Sequence, residues 1–315
     1  MVRIASTTLK APETTSPYPR RRGLVVALSV LAGFLLTVVW SATFVDSTIG
    51  DPIANTVLGH DAKEVPIAGI LAGLAFAFAT GLAGSFTACN IAVFGAVAPL
   101  MGEGGTLGNR IKAVLLPLRW LVAGMVAVSA IYGAIVGVVG TSMPQFSTVP
   151  NAAGLSPRSI QSMVVFGVIG LVFVWLGLAA LGLVKDPLAR VSERFPGARM
   201  LVMGILVGGF LIGRPFGLFR QLFRDAAESG NPLYGAGAFV LQSVGNIVIM
   251  VVLAVVIAMI AGGRIGRWIA AKPSRAALIV GVSFIVVGVF TFMYWDIRLL
   301  ARREIIPWYP VAPWA

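Results

Sequence analysis

The sequence predicts an all-α polytopic membrane protein, and three observations carry that prediction. Of 315 residues, 58% are hydrophobic and only 11% charged, with a mean hydropathy of +0.93. A soluble domain carries about 25% charged residues. The apolar residues collect into seven segments, 23–45, 67–101, 113–140, 161–184, 200–224, 233–262 and 276–295. Each is near or above the roughly 20 residues that cross a bilayer as a helix. Basic residues, finally, fill alternate loops between the segments, as membrane insertion requires.

The first element is a basic tail, 1–22, holding Arg3, Lys10, Arg20, Arg21 and Arg22. The apolar run 23–45 that follows is longer than the roughly 7–15 residues of a signal-peptide core, so it reads as an uncleaved signal-anchor helix. Arg20-Arg21-Arg22 then acts as a cytoplasmic stop and not as a twin-arginine export address. Loop 46–66 has only Lys63 against Asp46, Asp51, Asp61 and Glu64, and loop 141–160 has only Arg158. Arg110 and Lys112 follow the second segment; Lys185, Arg190, Arg194 and Arg199 follow the fourth; Arg264, Arg267, Lys272 and Arg275 follow the sixth. The expected topology is a multi-pass protein of a bacterial-type cytoplasmic (inner, plasma) membrane, with a cytoplasmic amino terminus and the carboxyl terminus outside. The end 297–315 breaks the charge rule with Arg298, Arg302 and Arg303. It also carries Trp308, Tyr309 and Trp314, and is expected to lie in the interface as an aromatic tail.

Two segments are interrupted. The second breaks at Gly84-Ser85-Phe86-Thr87-Ala88-Cys89-Asn90 and the fifth at Gly213-Arg214-Pro215-Phe216-Gly217. Irregular backbone at membrane depth persists only where it lines a cavity or is buried in protein. With the first segment set aside, six remain, and the broken ones lead each group of three. An odd number of spans per half reverses the second half, so the expectation is one extra N-terminal helix plus a 3+3 inverted repeat with its breaks near the midplane.

The residues around those breaks resemble the CcdA/DsbD family, the transmembrane thiol–disulfide electron carriers of cytochrome c biogenesis. Thr80-Gly81-Leu82-Ala83-Gly84-Ser85-Phe86-Thr87-Ala88-Cys89 is similar to the family's first broken helix. Gly208-Gly209-Phe210-Leu211-Ile212-Gly213-Arg214-Pro215-Phe216 is similar to its second. Ala227-Glu228-Ser229-Gly230-Asn231-Pro232-Leu233-Tyr234-Gly235-Ala236-Gly237 is similar to the Ser-Gly-Asn turn that opens the following helix. The resemblance covers 66–296 and implies a six-helix transmembrane domain there. It departs at the chemistry: Ala88-Cys89 and Pro215-Phe216 stand where the family has two Pro-Cys pairs. One sulfur cannot form the family's intramolecular disulfide, so the resemblance implies the scaffold and not the electron transfer.

The candidate site residues follow from the breaks. Arg214 is a full charge that no acidic residue within a span can neutralise, since the acidic residues lie in tails or loops, apart from Asp225 and Glu228 just after the fifth segment. Cys89 is the one cysteine and the candidate for thiol exchange. Thr87 and Asn90 flank it, and Gln242 and Asn246 share a face four residues apart in the sixth segment. The equally available reading of these polar residues is hydrogen bonding between helices, and of Cys89 a small apolar filler. Nothing predicts a metal, a cofactor or a firm catalytic residue. His60 stands alone, no phosphate loop is present, and acid–base or nucleophilic constellations are missing, so an enzyme is not the expectation. The net charge of +12 follows from loop topology and anionic lipid headgroups, with no nucleic-acid partner. Three functions remain: a carrier of a small polar or anionic solute through a midplane site, a redox protein of cytochrome assembly acting on a partner thiol protein through Cys89, and a non-catalytic subunit of a membrane complex.

Overall fold

The computed structural model describes residues 18–85, 95, 107–147, 154–213, 217–260, 262–272 and 274–315. Helix α1 (Arg22–Val39) shows the logic on which the fold is built. It buries Ser29, Gly33 and Thr37 along one face and exposes Leu24, Leu28, Leu31 and Leu35. Small and polar residues inside with leucine outside reverse the pattern of a water-soluble helix, and suit one whose solvent is lipid. Ser29 and Thr37 donate their hydroxyls to the carbonyls of Val25 and Phe34 at 2.7 and 2.6 Å. Neither therefore leaves an unpaired donor at that depth.

After α1 come α2 (Ala42–Val45), a π-helical turn (Asp46–Gly50) and α3 (Asp51–Leu58). Next are α4 (Ile70–Ala83), α5 (Leu107–Val139), α6 (Pro157–Ala180) and the short α7 (Ala189–Arg194). The second half holds α8 (Ala198–Gly213), α9 (Gly217–Glu228), α10 (Pro232–Ile260), α11 (Gly262–Ala270) and α12 (Ser274–Phe292). A second π-helical turn (Met293–Ile297) and α13 (Arg298–Arg302) extend α12. The described residues contain no strand.

Among the described residues five helices are long and apolar enough to cross a membrane: α1, α5, α6, α10 and α12 with its extension. The chain is thus an all-helical, multi-pass membrane protein. The two segments expected to be broken differ from the rest. At 14 residues α4 is only about 21 Å long, short of a bilayer core. Between α8 and the helix that follows the axis turns by 84°, and only the two together count as a sixth candidate span. The 200–224 stretch is therefore not one straight crossing. In α9, Leu218, Phe219, Leu222 and Phe223 are buried while Arg224 and Glu228 are exposed, the pattern of a helix lying along a surface.

The long helices form two sets. In one, α12 packs between α1 and α6. A methyl added at Gly170 of α6 would stand 2.8 Å from the Gly288 carbonyl of α12, and one at Gly288 would stand 2.6 Å from the Gly170 carbonyl. The pair Gly177 and Gly281 repeats this reciprocal contact two turns along. In the other set α4 packs on α10, α10 on α5, and α5 on α8. There, methyl groups added at Gly81, Gly124, Gly204 or Gly245 would overlap backbone carbonyls of the facing helix. Without a hydrophobic drive in lipid, such close backbone approach is what holds helices together.

Two apolar clusters lie at different depths of this second set, the first of them shared with α6 and α12. One gathers Leu118, Leu121 and Met125 of α5, Leu206 of α8, and Ile247 and Met250 of α10. The other gathers Tyr132 and Val136 of α5, Leu211 of α8, Phe239 of α10, Ala83 of α4 and the buried face of α9.

Candidate functional site

Between the two apolar clusters runs a buried polar layer. On α5 the change falls at Ser129, between Met125 and Tyr132; on α10 it falls at Gln242 and Ser243, between Phe239 and Ile247. Ser129 and Ser243 hydrogen-bond to each other at 2.5 Å across the helix pair, and Ser129 also donates to the Met125 carbonyl. Ser85, at the end of α4, donates to the carbonyl of Asn246 at 3.0 Å. Ser85, Ser129, Gln242 and Ser243 are all buried.

Two acceptors in this layer are left over. Neither the side-chain oxygen of Gln242 nor that of Asn246 has a hydrogen-bond partner among the described residues, although both atoms are buried. An unpaired buried acceptor costs about 1–3 kcal/mol, and a polar site retains such groups where a ligand or water completes them. Gln242 and Asn246 lie where α4 ends: an added methyl at Gly81 would overlap the Gln242 carbonyl and come within 3.0 Å of the Asn246 amide. The absent side chain at Gly81 is what lets α4 approach α10 so closely.

The end of α8 is held from the other set of helices. Gln161 of α6 donates from Nε2 to the Ile212 carbonyl at 3.0 Å, and Ser162 donates to the Gly213 carbonyl at 2.7 Å. These are terminal carbonyls that the helix itself cannot satisfy. The same Gln161 amide donates to the Tyr132 hydroxyl, which in turn donates to Gln145. Phe166, one turn along α6, closes on Gly213, where a methyl would meet its ring at 2.8 Å, and its far side stacks on Trp295 at 4.6 Å. The end of α8 at Gly213 is thus held by side chains of α6.

The α4 end sits against Asn246, one turn beyond Ser243 on α10. The α8 end is tied to Tyr132, one turn beyond Ser129 on α5. The two helix ends therefore straddle the Ser129–Ser243 pair from opposite sides. Of the residues expected in the site, Gln242 and Asn246 are brought to this layer. Thr87, Cys89, Asn90 and Arg214 lie outside the described residues. Ser129, Gln161, Ser162, Tyr132 and Gln145 are added to the expectation. Ser129, Gln161 and Ser162 carry the same signal that marks Gln242, a polar side chain within an apolar segment. Among the described residues no group of His, Cys, Asp or Glu is placed to hold a metal ion.

One further polar cluster lies at the end of α12. Arg298 is buried; its Nη1 donates to the carbonyls of Thr37 and Trp40 at 2.9 and 3.0 Å, and its guanidinium lies 4.7 Å over the Tyr294 ring. Tyr309 shares a 2.5 Å hydrogen bond with the Thr37 hydroxyl, Ala312 donates its amide to the Val38 carbonyl at 2.9 Å, and Trp314 donates to the Val39 carbonyl at 3.2 Å. The carbonyls of residues 37 to 40 are thus each taken up by the C-terminal segment, while the Trp308 and Trp314 rings stay exposed. Asp296 is a correction to the sequence reading: it falls inside the last candidate span, 274–302, and is buried. In comparison with known proteins, the chain matches no family model, no curated sequence and no solved structure.

Proposed function

We propose that this chain is a membrane carrier of a small polar or anionic solute, binding it in the layer formed by Ser85, Gln242 and Asn246 between the ends of α4 and α8. The observation that carries the reading is the pair of buried amide oxygens on Gln242 and Asn246, which have no hydrogen-bond partner among the described residues and lie between two apolar clusters. A polar layer sealed on both sides is what an occluded carrier needs, and discontinuous helices at such a site are a recurring feature of carriers. Amide groups both donate and accept, so they suit an oxyanion or a polar neutral solute. Arg214, Cys89, Thr87 and Asn90 belong to the proposed site by their sequence position beside the breaks.

The reading includes seven spans, an extra N-terminal helix followed by a six-helix CcdA/DsbD-like domain built as a 3+3 inverted repeat. The glycine contacts support it. One constant shift takes Gly81 to Gly204 and Phe78 to Leu201; another takes Leu121 to Gln242 and Gly124 to Gly245. Under those shifts, the contacts Gly81–Gln242 and Gly245–Phe78 become Gly204–Leu121 and Gly124–Leu201, and all four are close contacts. A third shift takes Gly170 to Gly281 and Gly177 to Gly288, which exchanges the two reciprocal contacts of α6 and α12. The same equivalence pairs Gln242 with Leu121 and Asn246 with Met125, so the polar groups belong to one half alone.

That pairing supplies the test. The double variant Gln242→Leu, Asn246→Met installs the residues of the other half, which preserves volume and helical preference. In proteoliposomes, counterflow of small labelled carboxylates, inorganic oxyanions and thiol compounds should be saturable for the wild-type chain. The double variant should lose it while keeping its elution profile and melting temperature. Undiminished flux in the double variant would place the site elsewhere. A Cys89→Ser variant that alone is inactive, with a partner trapped through Cys89, would favour the redox function instead.

A further inference from the structure

We propose that Asp296 is a proton-binding site, and that its proton holds the junction between the end of α12 and α6 closed. Asp296 lies in the second π-helical turn, which packs on α6 and α1. Its carboxyl faces α6, where a methyl added at Gly167 would stand 3.0 Å from Oδ1. Oδ2 is buried and has no hydrogen-bond partner among the described residues. No ion pair is made either; the two ion pairs found, Lys63–Asp51 and Arg199–Asp186, lie elsewhere.

An ionised carboxylate in that position needs a cation, donors or water. The one basic side chain nearby is turned the other way, although its Nε and Nη2 have no hydrogen-bond partner among the described residues. Arg298 stands two residues on, is turned toward α1, and spends Nη1 on the Thr37 and Trp40 carbonyls. Those carbonyls end α1 and carry the negative pole of its dipole, so they act as the guanidinium's counter-charge. Arginine itself stays protonated in proteins. The other titratable groups of this cluster, grouped around Arg298, are Tyr294 on the turn itself, Arg302 on α13 and Tyr309 of the tail. From residue 159 to 180 of α6, from 276 to 292 of α12 and from 23 to 39 of α1 the sequence has no charged or titratable side chain. Oδ2 itself is covered from solvent. A proton on Oδ2 neutralises Asp296 without needing room.

The position makes the proton consequential. Trp295, next in sequence, stacks on Phe166, next to Gly167, and Phe166 closes on Gly213 at the end of α8. Loss of the proton leaves a bare charge in this contact, and the charge is relieved only if water enters between the turn and α6. Opening there loosens the seat of Phe166 against the α8 end. The site goes beyond the carrier reading and stands without it.

The test uses the full chain in lipid nanodiscs. Infrared difference spectra taken as the pH is stepped upward should show a carboxylic C=O band that exchanges slowly with deuterium. The band should be lost in Asp296→Asn and retained in Asp225→Asn, whose carboxylate already accepts from Tyr234. Hydrogen–deuterium exchange of residues 293–298, corrected for its intrinsic pH dependence, should rise in the wild type as that band disappears. It should stay at the low value in Asp296→Asn, whose neutral amide imitates the protonated acid. The absence of a slowly exchanging carboxyl band from the wild type, or its persistence in Asp296→Asn, overturns the proposal. So does exchange over 293–298 that follows pH equally in both proteins.

Discussion

Tyr309 shows how single residues fix the ends of this fold. Its hydroxyl is buried against Thr37, and burial raises its pKa above the usual phenol value; the hydrogen bond to Thr37 and the charge of Arg298 act in the opposite direction and are outweighed. A folded-state value above the unfolded value, about 10, means that the neutral phenol favours the folded protein. That contribution is complete below about pH 10 and is lost as pH rises through the folded-state value. Alkaline titration should thus lower the melting temperature of the wild type more than that of Tyr309→Phe, which lacks the ionising group. Equal slopes for the two proteins would show that Tyr309 does not link pH to stability. At this scale the sequence was partly legible. Polar side chains in apolar segments picked out Gln242 and Asn246, whose amide oxygens the fold buries in one layer. Asp296 was misplaced because hydropathy ends the last segment at residue 295, whereas the helix runs on to Arg302. It does so because Arg298 finds its acceptors on the end of α1, a contact between residues 261 and 258 positions apart that no local pattern encodes.

The helices depend on close backbone contact, and the glycines can be ranked by it. Methyl groups added at Gly81 or Gly204 would overlap a backbone carbonyl of the facing helix, whereas nothing lies within 4 Å of one added at Gly23. Backbone cannot yield as a side-chain tip does, so the helices must separate. Gly81→Ala and Gly204→Ala should each destabilise by about 1–3 kcal/mol, the usual cost of overpacking. Gly23→Ala should leave thermal unfolding in detergent unchanged. Five of the seven expected segments proved to be long apolar helices because length and hydropathy are sufficient signals for a lipid-exposed span. Among them α6 keeps Val164, Val168, Leu171 and Trp175 exposed on one stripe. The 200–224 segment was legible as interrupted at Gly213, but not in its second part, whose apolar residues are spaced for one face of a surface helix. The α4 segment was legible as interrupted, since Gly84-Ser85 ends the helix within two residues of the expected position.

At the scale of the whole molecule, Arg22 donates to the Gly182 carbonyl at 3.0 Å, which joins the basic amino-terminal end to the loop after α6. The C-terminal segment sits on the opposite end of α1, about 27 Å away for 18 residues. The positive-inside rule then predicts that the Gly182 end is cytoplasmic and the tail outside. In a Cys89→Ser background, an impermeant maleimide added to intact cells should label Thr56→Cys and spare Glu193→Cys. The reverse pattern would invert the assignment.

The capping of α1 by the tail has an energetic consequence under the carrier reading. Two interchangeable halves would give inward-facing and outward-facing states of equal energy, and neither would be the ground state. On that reading helix α1 lies outside the repeat; it packs on α12 and is latched at its Val39 end through four consecutive carbonyls. A latch on one half at one face lifts that degeneracy. The resting orientation of the carrier is then set by a helix that never touches the solute, and its bias can be retuned by the tail without altering the site.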